Sequence, residues 1–143
     1  MPSIQRSALV AFSAESMFEL VNDVESYPEF LPGCAQSRVE KKSGSMMQAS
    51  LLIAKAGVKQ WFTTHNELVA NQRIDMRLVE GPFSHLSGAW HFIPLSESAC
   101  KIELNLTFEF SSRLAQAAFG KIFNSIAANM VDAFTKRAKQ VYA

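Results

Sequence analysis

Long apolar runs are missing from this chain. Nowhere in its 143 residues do about 18 apolar side chains follow one another, the length a helix needs to cross a bilayer. Charge of one sign is missing too. Fourteen Lys and Arg stand against thirteen Asp and Glu, for a net charge of +1, so no overall field draws the chain to nucleic acid, and DNA is not an expected partner. Cysteine is scarce: Cys34 and Cys100 form neither a CxxC nor a metal spacing, and both read as buried, inert thiols. The opening Met-Pro-Ser-Ile-Gln-Arg-Ser lacks the charged-then-apolar pattern of a secretory leader and the Arg-rich character of a transit peptide. The cytoplasm is therefore the expected compartment.

Recognisable catalytic signatures are absent as well. The chain has no Gly-rich phosphate loop, no HExxH and no GxSxG. His65, His85 and His91 are too scattered to suggest a metal site and read as surface or hydrogen-bonded histidines. Asp23 and Glu25 lie close together, and Glu80 sits beside Gly81 and Pro82. With no nucleophile or partner base near them, helix capping explains Asp23 and Glu25 better than acid–base work. Neither a cofactor nor a metal is expected, and the chain reads as a binding protein rather than an enzyme.

What is present is enough for a core. Apolar residues make up 48% and charged residues 19%, which excludes a disordered chain. A domain of this length hides roughly 70% of its unfolded surface, so residues 1–143 are expected to form one domain. From Ser112 to Tyr142 the apolar residues Phe119, Ile122, Phe123, Ile126, Met130, Phe134 and Val141 recur at steps of three and four. That spacing keeps them on one stripe of a helix. No proline interrupts it, Ser111 or Ser112 can cap its start, and Lys136, Arg137 and Lys139 suit the negative end of its dipole. At 1.5 Å per residue such a helix is about 45 Å long and needs a broad surface to lie on.

The preceding chain can supply that surface. Ile4 to Val10 reads as a short strand, Ser13 caps a first short helix, and Val24 to Phe30 makes a second, stopped by Pro28 and Pro32. From Ser37 the period changes to two. Strands are expected over Ser37 to Ser43, Met46 to Ala56, Lys59 to Ala70, Arg73 to Val79, Leu86 to Pro94 and Lys101 to Phe110. In the last, Ile102, Leu104, Leu106, Phe108 and Phe110 alternate with polar residues without a fault. Short turns between the strands make an antiparallel meander with one covered face. The predicted class is α+β, a curved antiparallel sheet around a long C-terminal helix, with two short helices after the first strand.

Eleven Phe and two Trp are many for this length. Phe30, Phe62, Phe83, Trp90, Phe92, Phe119, Phe123 and Phe134 could be plain core, or they could line a pocket between sheet and helix; periodicity does not choose. Among the basic residues, Arg38, Lys41 and Lys42 belong to one strand, Lys55 and Lys59 flank a turn, and Lys136, Arg137 and Lys139 end the long helix. A solvated face is the plain reading, and contact with RNA phosphates or a membrane surface the sharper one.

Three stretches then carry a resemblance: Val21 to Cys34 (VNDVESYPEFLPGC), Glu80 to Phe92 (EGPFSHLSGAWHF) and Met130 to Tyr142 (MVDAFTKRAKQVY). Phe62-Thr-Thr-His-Asn66 fits beside them, although the family often has Arg where this chain has His65. Together they resemble the coenzyme-Q-binding START-domain family, within the polyketide cyclase/dehydrase and lipid-transport superfamily, nearest its bacterial branch of ribosome association toxins. The resemblance implies a helix-grip fold with a tunnel between sheet and helix. An isoprenoid quinone such as ubiquinone, or another lipid, would be held there without catalysis, in support of respiratory electron transport. By position, Tyr27, Pro28, Phe30, Leu31, Pro82 and Phe83 would stand at the mouth, with Phe62, Trp90, Phe119, Phe123 and Met130 along the tunnel. A peripheral contact with the inner membrane would go with that role. The second job the resemblance implies is binding to the large ribosomal subunit, blocking subunit joining as a toxin. Lys41, Lys42, Lys136, Arg137 and Lys139 would then face the anionic surface. An aromatase or cyclase role ranks last, because the inward strand positions are nearly all apolar.

Overall fold

The computed structural model describes residues 3–55 and 57–142. Seven strands form one antiparallel sheet: β1 (Ser3–Val10), β2 (Cys34–Ser43), β3 (Met46–Lys55), β4 (Val58–Val69), β5 (Arg73–Glu80), β6 (Phe83–Ser96) and β7 (Ala99–Phe110). Their order across the sheet is β1-β7-β6-β5-β4-β3-β2. The meander is therefore β2 to β7, and β1 closes onto its last strand. Between β1 and β2, helix α1 (Ala14–Asn22) and a 3₁₀ helix (Val24–Glu29) carry the chain from one sheet edge to the other. Helix α2 (Arg113–Tyr142) follows β7 and lies against the sheet's inner face.

Sequence and structure agree on every element, with differences at their ends. Strand β2 begins at Cys34 rather than Ser37, and β6 takes in Phe83 and runs past Pro94 to Ser96. Register shifts at Cys34/Gln36, Phe83/His85 and Pro94/Ser96 absorb these extensions, since a bulge lets a strand continue where regular pairing would stop. The expected end of the third strand at Ala56, and the terminal residues Met1, Pro2 and Ala143, lie outside the described residues.

Caps form where small hydroxyls precede each α-helix, whereas Asp23, before the 3₁₀ helix, makes no side-chain capping bond. Ser13 Oγ accepts from the Ser16 N–H at 3.0 Å, and Ser112 Oγ accepts from the Ala115 N–H at 3.0 Å, each satisfying a donor that has no partner inside its helix. The stripe on α2 buries Phe119, Phe123, Ile126, Ala127, Val131, Phe134 and Ala138. It fades at both ends: Leu114 is 80% and Val141 49% exposed. Val141 is thus off the buried stripe, although the last turn is held to α1 by the Tyr142 hydroxyl, which donates to the Ser16 carbonyl at 2.9 Å. On β7, Ile102, Leu104 and Phe108 have no solvent exposure and Leu106 is 8% exposed, as the alternation predicts.

Two close approaches shape the wrap. Gly88 of β6 pairs with Leu106 of β7, and a Cβ there would stand 2.1 Å from the Asn105 carbonyl oxygen; only glycine lets the backbones meet so tightly. Gly33 has φ +85°, and its Cβ would stand 2.6 Å from Ile126 Cδ1. The loop before β2 can therefore lie directly on α2 only with glycine at this position.

Candidate functional site

Aromatic rings gather in two groups under α2. In one, Phe83 packs against Phe62, Phe108, Phe110, Phe119 and Phe123, with ring centres 4.9–6.5 Å apart. In the other, Phe134 touches Tyr27, Phe30 and Trp90, with centres 5.2–5.3 Å apart. Most are edge-to-face pairs, the arrangement the ring quadrupole favours. A cavity of about 80 Å³ lies between the sheet and α2, and both groups reach it: Phe62 and Phe123 from the first, Tyr27 and Trp90 from the second. Met130 lines it from α2 and Met76 from β5.

The tunnel residues expected from the sequence thus divide. Tyr27, Phe62, Trp90, Phe123 and Met130 line this cavity. Phe83 and Phe119 sit one layer away, in the ring cluster that touches Phe123. Phe30 and Leu31 line an outer groove of about 460 Å³ between the 3₁₀ helix and α2. Pro28 is exposed on the 3₁₀ helix, and Pro82 lines a separate hollow with Arg38 and Trp61.

Chemically the cavity is quiet. Among the described residues its one titratable side chain is Tyr27, whose hydroxyl donates to the Val21 carbonyl. Burial, helped by Cys34 and Asp23, holds that hydroxyl protonated far above its ordinary pKa. Cys34 and Cys100 are buried and unpaired. Burial pushes Cys34 up to about 11 and raises Cys100 as well, so both remain thiols at neutral pH, the inert form. Among the described residues no group of three or more His, Cys, Asp or Glu could hold a metal. His85 Nε2 lies 3.0 Å from Ser87 Oγ, and His65 Nε2 lies 3.6 Å from Glu67.

Two polar side chains line the cavity without being obvious from the sequence. Thr64 and Asn66 follow Phe62 at alternate positions of β4, and both face inward. The phase of Phe62 was the available signal, although two polar residues would ordinarily be assigned to the wet face.

The basic residues do not gather into one patch. Lys41 and Lys42 are exposed on the edge strand β2, and Lys42 shares a hollow with Glu19, Asp23 and Glu25. Lys136 pairs with Asp132 at 3.1 Å. Arg137 pairs with Glu29 at 3.1 Å and lies 5.1 Å from the centre of the Phe30 ring. Lys139 is exposed near the end of α2.

An open antiparallel sheet gripping one long helix, with an apolar hollow between them, defines the class. The chain belongs to the family described as polyketide cyclase / dehydrase and lipid transport, whose pattern matches residues 10–135. Within that class it is similar to the ribosome association toxin RatA of Vibrio cholerae, 58% identical over 99% of both chains. It is also similar to RatA of Escherichia coli, 54% identical over all of this chain and 90% of that protein. A more distant relative is the mitochondrial coenzyme Q-binding protein COQ10 homolog B of Xenopus laevis, 29% identical over 95% of this chain and 57% of that one. Among solved structures, the fold resembles the Zhui aromatase/cyclase of Streptomyces (TM-score 0.85, 17% identity, 97% of this chain and 94% of that one). It also resembles a START superfamily protein of Mycobacterium smegmatis (TM-score 0.81, 21% identity, 97% and 98%).

Proposed function

We propose that this protein is a cytoplasmic ribosome association toxin that binds the large ribosomal subunit and hinders subunit joining, without catalysis. The observation that carries this reading is identity of 54–58%, over 99–100% of this chain and 90–99% of theirs, to relatives bearing that name. It reverses the order expected from sequence, where quinone binding led and the ribosome came second; the coenzyme Q-binding relative is at only 29%. Support for a non-enzymatic role comes from the cavity, whose single titratable group among the described residues is the sequestered Tyr27 hydroxyl. The test is sedimentation of purified protein with ribosomes at two salt concentrations. The expected result is association with the large subunit at low salt, weakened at high salt, with joined ribosomes replaced by free subunits. Charge reversal at Lys41 and Lys42 together should weaken the association. No association at low salt overturns the reading.

The cavity favours a second, compatible reading: the protein holds an apolar molecule between sheet and helix. Its lining is apolar apart from Thr64, Asn66 and the spent Tyr27 hydroxyl, and such walls suit lipid-like ligands. An isoprenoid quinone is one candidate. Native mass spectrometry of freshly purified protein, followed by organic extraction, tests it. A stoichiometric lipid or quinone is expected; failure of added quinones and lipids to bind overturns it.

A further inference from the structure

Two buried polar side chains in this protein differ in how fully they are used. Ser50 is 2% exposed and bonded twice, to Glu40 Oε1 at 3.0 Å and Thr63 Oγ1 at 2.6 Å. Asn66 is 7% exposed and makes one side-chain hydrogen bond among the described residues: its Oδ1 accepts from Thr64 Oγ1 at 2.8 Å. That bond orients the amide and leaves both Nδ2 donors unspent. Asn66 lines the cavity, and Met47 of β3 and Met76 of β5 flank it across the sheet. Among the described residues Arg137 Nε is the one fully enclosed side-chain atom without a partner, so the Asn66 donors keep some accessible surface and are free for an acceptor brought in by a ligand.

We propose that Asn66, oriented by Thr64, is a hydrogen-bond anchor for the carbonyl oxygen of an uncharged apolar ligand. This rests on the reading that the cavity binds such a molecule, and it names the ligand's head. Among the described residues no Lys, Arg or His lines the cavity, so a carboxylate or phosphate head would be buried without a counter-charge, which is strongly unfavourable. A neutral carbonyl needs only the amide. At about 80 Å³ the cavity is smaller than the roughly 150 Å³ that admits benzene, so even a ring-sized head enters only as the walls give. Met76 and Met130 are its unbranched, adaptable walls, and they would shift to admit a tail.

The test is calorimetric titration of the full chain with three probes: a short-tailed benzoquinone, the matched alkylbenzene without carbonyls, and a fatty acid of equal length. The wild type should bind the quinone about tenfold more tightly than the alkylbenzene, and the fatty acid most weakly. Asn66→Leu should lose about tenfold toward the quinone and nothing toward the alkylbenzene. Thr64→Val, which frees the amide to turn, should lose part of the same preference and serves if Asn66→Leu does not fold. If the variants keep the full quinone preference, or the wild type shows none, the anchor is overturned while apolar binding stands. If no probe binds the wild type, the cavity reading fails and the anchor with it.

Discussion

Arg137 reaches from α2 back to Glu29 on the 3₁₀ helix, with Nη2 3.1 Å from Oε1, and on the way its guanidinium lies over the Phe30 ring. A residue that looks like one of three helix-end cations is thus the clasp holding the edge-crossing segment against the long helix. Its Nε is buried without a hydrogen-bond partner, a cost accepted for the stacking. Arg137→Ala should therefore lower stability by about 1–2 kcal/mol, through lost stacking more than lost charge. Arg137→Lys should recover less than half, because an ammonium does not stack as a planar fork does. Urea midpoints of the three proteins check this. Ribosome-binding assays that reverse charge should leave Arg137 intact.

Gly88→Ala should be more damaging than its single methyl suggests. The new Cβ would meet the Asn105 carbonyl oxygen at 2.1 Å, Leu106 Cδ2 at 2.7 Å and Leu106 Cα at 3.0 Å. Two of these are backbone atoms held in a strand pair, so relief requires separating β6 from β7. A loss of about 3 kcal/mol or more is expected, read as a fall in thermal midpoint. The control Gly44→Ala, at a turn with φ +55° and open space around it, should cost only about 1 kcal/mol.

Phe123→Ala removes a ring that joins the Phe83 cluster to the cavity wall. The expected cost is about 3–5 kcal/mol, as for other buried aromatic truncations. The enlarged hollow should gain affinity for small apolar probes, such as benzene or xenon, that fill it. Denaturant midpoints and a probe titration read the two effects separately.

Burial raises the Cys34 thiol from an ordinary 9.0 to about 11. A group whose folded pKa is raised contributes stability in full below its unfolded pKa and loses it as pH climbs through the folded one. Alkaline destabilisation should therefore set in between pH 9 and 11, and Cys34→Ala should flatten that limb relative to the wild type. At pH 8 a thiol reagent should react slowly with the native chain and label two sulfurs per molecule in denaturant.

Where periodicity is undisturbed, the fold is readable from the chain. Strand β7 announces its inward face residue by residue, and the α2 stripe needs only 3.6-residue spacing. What escapes is whatever depends on a partner far away in sequence. Thr64 and Asn66 have the inward phase of Phe62, but their polarity argues for the outside, and only pairing resolves the conflict, Thr64 with Ala49 and Leu78 and Asn66 with Met47 and Met76. A register shift at Thr63/Thr64 against Glu80 and Leu78 leaves Val79 extra on β5, and no local signal marks it. Arg137 is similar: its length lets it fold back on Phe30, which composition reads as simple solvation. Cavity size lay beyond periodicity for the same reason, since a ring lines a hollow or fills it according to neighbours on three other elements.

The place of β1 in the sheet sets a schedule for folding. The first strand pairs with the last, Ser3 against Thr107 and Val10 against Cys100, and the covering helix comes after both. A chain leaving the ribosome can form the β2–β7 meander while its inner apolar face is still bare and one edge unpaired. Contacts this distant in sequence are slow to close, and bare strand edges are where chains stick to one another. Synthesis cut short before α2 would leave an apolar sheet exposed to its neighbours, so the thirty residues of α2 decide whether that face is covered or aggregates.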